Sequence, residues 1–112
     1  MKDTLFVFRP GFDDGGKDYF CPYCAQVIGM LTYYPQLRET LDVVELDFPK
    51  PRRPLADLLG EENQSCPVLV LRGEAVAVPD VRIGEANGRK FVTKTIEILR
   101  YLAATRGVPL PH

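Results

Sequence analysis

Pro22, in the stretch FCPYCAQVIGML from Phe20 to Leu31, fixes where a structural element has to begin. Its ring sets φ and removes the N–H, so it suits the first position of a helix and disrupts later ones. Val27, Ile28, Leu31 and Tyr34 recur at helical spacing. That predicts a helix opening at Cys21–Pro22 with one buried face and a break or kink at Pro35, which QLRETL continues briefly. Ahead of it, TLFVF (Thr4 to Phe8) is a short β-prone run closed by Pro10 and Gly11, and PGFDDGGKDY reads as a loop. Two cysteines thus stand on the first turn of a helix that a strand and a loop lead into.

The remaining pattern predicts a second strand over DVVELDF (Asp42 to Phe48) and a short helix over PLADLLG that Gly60 stops. A third strand, PVLVL (Pro67 to Leu71), turns at Arg72-Gly73-Glu74 into a fourth, AVAV (Ala75 to Val78), as a hairpin. RIGEANGRK is polar and reads as a loop. A last helix runs from about Phe91 to Arg106, with Phe91, Val92, Thr95, Ile96, Leu99, Leu102 and Ala103 on one stripe and Gly107 and Pro109 ending it. The order β-α-β-α-β-β-α predicts an α/β fold: a mixed four-stranded sheet with helices on both faces. The length, 112 residues, suits a single domain over 1–112.

Composition excludes several classes. Net charge is −1 with both signs mixed along the chain, so the basic stripe of a nucleic-acid binder is missing. The richest basic stretch, PKPRRP (Pro49 to Pro54), reads as a solvated loop. No apolar run approaches the ~20 residues that cross a bilayer, so no membrane partner is expected. The first apolar run is shorter than a secretory signal needs, which places the chain in the cytoplasm, where thiols stay reduced. Three cysteines do not make a disulfide framework. Ser65 is the one serine and His112 the one histidine, with no elbow motif between them, which argues against a serine–histidine hydrolase. GFDDGG has neither the spacing nor the ending of a phosphate loop. Nothing in the pattern sets an oligomeric state.

The cysteine pair carries the chemistry. Residues i and i+3 share one side of a helix's first turn. The unpaired first-turn N–H groups and the helix dipole favour a thiolate at Cys21. Cysteines so placed fall from about 8.5 into a range of roughly 3.5–7.5, and the thiolate is the attacking species in thiol–disulfide exchange. Cys21 is therefore the candidate nucleophile and Cys24 the candidate resolving thiol. Two other readings stand beside this one. Cys21, Cys24 and Cys66 offer three soft ligands for a metal or an iron–sulfur cluster, although structural zinc wants four. Alternatively the cysteines are small buried hydrophobes in a non-catalytic interaction module. Cys66 precedes Pro67 at a strand start, where a cis bond is a deliberate bend.

These residues resemble a known superfamily. CPYC is the active-site motif of dithiol glutaredoxins, SCPVLVL sits where that superfamily has its cis-proline strand, and FVTKTIEILRYLA is similar to the closing helix of the glutathione-transferase N-terminal domain. The combination from KDTLFVFRPGF to YLA looks closest to a bacterial family of short thioredoxin-like proteins of unassigned function. The resemblance covers nearly the whole chain and implies a thioredoxin-like fold and thiol–disulfide oxidoreductase chemistry. It makes Cys21 the nucleophile, Cys24 the resolving thiol and Pro67 the cis-proline beside the active-site disulfide. Pro22, Tyr23, Cys66 and Pro67 would meet the substrate or glutathione, with the backbone of Cys66 pairing to it. Glutathione would be a co-substrate, no other cofactor is implied, and the partner would be a disulfide-containing protein or a glutathione mixed disulfide. Three features depart from the glutaredoxin pattern: the longer loop before Cys21, the missing glycine-glycine-aspartate or glutamate-serine signature before the last helix, and Cys66 itself.

Overall fold

Leu5, Phe6 and Val7 are consecutive and all at most 2 % exposed, so the first strand, β1 (Asp3–Phe8), is covered on both faces. The computed structural model describes residues 1–112. After β1 come β2 (Phe12–Asp14), β3 (Lys17–Tyr19), α1 (Pro22–Tyr33), a 3-10 turn over Pro35–Thr40 and β4 (Leu41–Leu46). Next are α2 (Leu55–Leu59), β5 (Val68–Leu71), β6 (Gly84–Ala86), β7 (Arg89–Val92) and α3 (Thr95–Arg106). The main sheet has the order β4-β1-β5-β7-β6, with β1 and β4 parallel and the other pairs antiparallel. A parallel pair needs a crossover, and α1 supplies it.

Strand alternation decides which helix covers which face. Leu5, Val7, Leu69, Leu71 and Val92 pack with Val27, Leu31, Ile98 and Leu102, so α1 and α3 cover one side. Phe6, Val68 and Val70 pack with Leu55 and Leu59, so α2 covers the other. The expected mixed sheet with helices on both faces is present. At the end of the sheet away from the cysteines, Asp3 accepts the Arg72 N–H at 2.8 Å and pairs with Arg106 at 3.0 Å, tying β1, β5 and α3 together. No helix is long and apolar enough to cross a membrane.

The strand count differs from the expected four. Ala75–Val78 is not a strand. Ala75 and Val78 pack against the core edge, and the Val76 N–H donates to the Tyr101 hydroxyl at 3.3 Å. The place beside β5 is taken by β7, with Leu69 opposite Val92 and Val70 opposite Phe91. The β6–β7 hairpin turns at Asn87 (φ 51) and Gly88 (φ 71), the two left-handed positions of the tight turn that Asn-Gly favours. Phe91 and Val92 therefore belong to a strand, and the last helix begins at Thr95, not near Phe91. It ends as expected, at Gly107 in the left-handed conformation.

The segment before the cysteines also departs from a plain loop. It folds into the β2–β3 hairpin, turning at Gly15 and Gly16 with φ of 65 and 86. Phe12 anchors that hairpin by stacking on Phe48, with centroids 4.4 Å apart, and meets Phe8 edge-on at 5.7 Å. The hairpin thereby sets Phe20 at the entrance to α1.

Candidate active site

Pro22 is the first residue of α1 and Cys21 is its N-cap, as the sequence implies. Cys21 has extended backbone (φ −81, ψ 111), and its Sγ accepts the Cys24 N–H at 3.1 Å. A sulfur thus takes the place that an Asp or Ser oxygen takes in an ordinary cap, and one of the helix's orphan donors is spent on it. Cys21 is partly exposed, while Cys24, one turn in, is 3 % exposed, and its Sγ accepts the Phe8 N–H at 3.4 Å. Burial first, and then contact with Cys21, pushes the Cys24 thiol up, and the Phe8 N–H works the other way. One sulfur faces outward on a helix terminus and the other waits behind it as a thiol. All three cysteines are free.

Cys66, just ahead of β5, packs at the edge of both core clusters, one of which contains Cys24. Its bond to Pro67 is cis, as anticipated, and Pro67 is buried at the head of β5. Burial pushes the Cys66 thiol from 9.0 up to about 12. The positive charge of Arg52 opposes this, and the nearness of Cys21 adds to it. Arg52 is the residue that sequence reasoning missed in PKPRRP. Its guanidinium lies over the Phe8 and Phe48 rings at 4.6 and 4.8 Å and donates to the Phe48 and Gln64 carbonyls. Gln64, 6 % exposed, accepts the Arg52 backbone N–H at 2.7 Å and donates to Glu61 O. The segment is exposed as expected except at Arg52, which is partly buried and ties it to the residues leading to Cys66.

The expected site residues divide between two concavities. Tyr23, Cys66 and Pro67 line an open groove with Ser65 and the residues Thr93–Ile96 that lead into α3. Cys21 and Cys24 line a separate crevice of about 400 Å³ between α1 and the edge strand β4. Pro22 lines neither and serves the helix start. The crevice walls include Phe8, Phe20, Ile28, Val43, Arg38 and Glu45, and of these Phe20, Arg38, Val43 and Glu45 carried no sequence signal. No group of three or more His, Cys, Asp or Glu side chains has a metal-holding arrangement.

The thiols order themselves by environment. Iodoacetamide near pH 7 is expected to modify Cys21 before Cys66 and Cys24, read by mass after quenching. Equal labelling of Cys21 and Cys66 would refute the assignment. The raised Cys66 thiol also has a stability consequence. Unfolded, Cys66 loses its proton near 9.0, and folded it keeps it to about 12, so above 9 the native state binds more protons than the unfolded one. Its contribution is therefore whole below pH 9 and is lost as pH rises to about 12. Urea midpoints should fall across that window, and less steeply in Cys66→Ser.

Together these features define a mixed α/β domain with a partly exposed and a buried cysteine at one helix start. The chain belongs to the family described as a protein of unknown function, DUF3088, whose model matches residues 2–110. No curated protein and no solved structure matches the sequence.

Proposed function

We propose that this chain is a thiol–disulfide oxidoreductase of thioredoxin-like fold, acting in a compartment where thiols are kept reduced. The observation that carries the reading is the asymmetry of the pair. Cys21 Sγ is reachable and bonded to a helix-terminal N–H, and Cys24 Sγ is buried directly behind it. The strand directions β4-β1-β5-β7, with α1 and α3 on one face and α2 on the other, support the fold assignment.

The reaction runs in two displacements. Cys21 thiolate attacks one sulfur of a substrate disulfide, forming a mixed disulfide and expelling the other half as a thiolate, which takes up a proton. Cys24 then gives up its proton to solvent or to the departing group and attacks Cys21 Sγ. The bound half leaves as a thiol, and the Cys21–Cys24 disulfide holds the two electrons' worth of oxidation. Two equivalents of a thiol such as glutathione, or one dithiol, reduce it again. The groove of Tyr23, Cys66 and Pro67 beside the pair is open to such a reductant, with Lys94 on its wall as a cation for a carboxylate.

The test is an equilibrium titration of the pair against a glutathione redox buffer, with mass-resolved alkylation as readout and metal analysis of the same preparation. A two-electron couple between roughly −200 and −300 mV, without metal, is the expected result. No disulfide at any poise, or stoichiometric metal, would replace this reading by the ligand or interaction readings.

A further inference from the structure

We infer that the crevice between α1 and β4 seats the substrate, and that the substrate is a small disulfide whose body is apolar and carries a carboxylate. The inference rests on the exchange reading above and names what that site acts on. Both cysteines form part of the crevice wall, so a group lying in it has its sulfur beside Cys21. Eight of the eleven lining residues are hydrophobic, which selects an aliphatic or aromatic body over a polar peptide. The volume, about 400 Å³, lies near the lower end for ligand pockets and fits a small molecule, not a folded surface.

Charge completes the description. Two charged residues reach the crevice, Arg38 and Glu45. Glu45 lies 3.9 Å from Arg9, while Arg38 makes no salt bridge within the chain. Arg38 is thus the charged residue on the wall without a salt-bridge partner in the chain, set among mostly apolar side chains, and the group it matches is a carboxylate. Phe20, 62 % exposed at the entrance, gains cover when such a body is present. The chemistry is the exchange already written: the Cys21–substrate disulfide forms as the substrate's own S–S bond breaks, and Cys24 then releases the seated half as a thiol.

Reduction of three disulfides by the reduced full-length chain tests this, each product being counted at Cys21 and Cys24 by mass. The probes are 5,5′-dithiobis(2-nitrobenzoate), which is aromatic and carboxylated, 4,4′-dithiodipyridine, which is aromatic and neutral, and 2-hydroxyethyl disulfide, which is small and polar. Ratios of rate constants between probes cancel the intrinsic reactivity of Cys21. Arg38→Ala should lower the carboxylated-to-neutral ratio roughly two- to fivefold, as for an exposed ion pair, and Arg38→Lys should restore most of it. Ala25→Leu narrows the crevice from an exposed helix position without touching the core. It should lower both aromatic rates about tenfold relative to the polar probe. Ratios unchanged in both variants, with Cys21 still reacting, would overturn the crevice assignment alone. Failure of Cys21 to react with any probe would overturn the exchange reading, and the crevice assignment with it.

Discussion

Serine at position 21 should lower disulfide reduction by roughly a thousandfold or more, because an alcohol without an adjacent base is a poor nucleophile at neutral pH. Serine is close to isosteric, and its oxygen can accept the Cys24 N–H that Cys21 Sγ accepts now. The fold should therefore persist, with an unchanged thermal midpoint, and the loss can be assigned to chemistry. Cys24→Ser should behave differently. Cys21 still attacks, but nothing behind it releases the product, so a mixed disulfide accumulates and is visible as a mass increase on Cys21. Wild-type turnover in Cys21→Ser, or no trapped adduct in Cys24→Ser, would remove the assigned roles.

Phe6→Ala should cost about 3–5 kcal/mol of stability, the usual result of emptying a buried aromatic site. That is a large part of the roughly 5–15 kcal/mol that holds a domain together. Phe6 is 1 % exposed and is the largest member of the six-residue cluster beneath α2. Leu55 and Leu59, with the partly buried Leu58, anchor that short helix from its own side of the cluster. The segment that follows α2 carries Gln64, which is bonded to Arg52, and then Cys66. A cavity there should loosen the Cys66 side before the Cys21 side. Denaturant unfolding measures the first effect, and Cys66 alkylation below the transition measures the second. A loss under about 1 kcal/mol would mean that the cluster contributes far less than its burial implies.

Local chemistry was readable wherever one residue's covalent constraint dominated. Pro22 marked the helix start, Gly60 and Gly107 marked helix ends, and the strand β1 followed from its continuous apolar run. The error at the fourth strand came from weighting apolar content over turn geometry. Ala75–Val78 is apolar but has no partner strand, whereas EANGRK is polar and holds an Asn-Gly turn that aligns Gly84 with Phe91. There the missing side chain is what admits the ring: a Cβ on Gly84 would lie 2.8 Å from Phe91 Cζ. The Gly15–Gly16 turn was the same signal overlooked once more. The two cysteines were legible as a pair because they share one helical turn. Arg52, Arg38 and Val43 were not, because what brings them to the sulfurs is tertiary packing, such as Arg52 over Phe8. No spacing in the chain encodes that.

The two margins of the main sheet are unequal. One is β6, three residues long, and the other is β4, six residues long and flanking the crevice. A margin of that length displays unpaired backbone donors and acceptors that invite a second chain to add itself. Here Asp42 and Glu45 stand exposed along it, so two copies approaching margin to margin bring like charges together. The acidic fringe that flanks the crevice thus also discourages the protein from polymerising through the strand beside its own site.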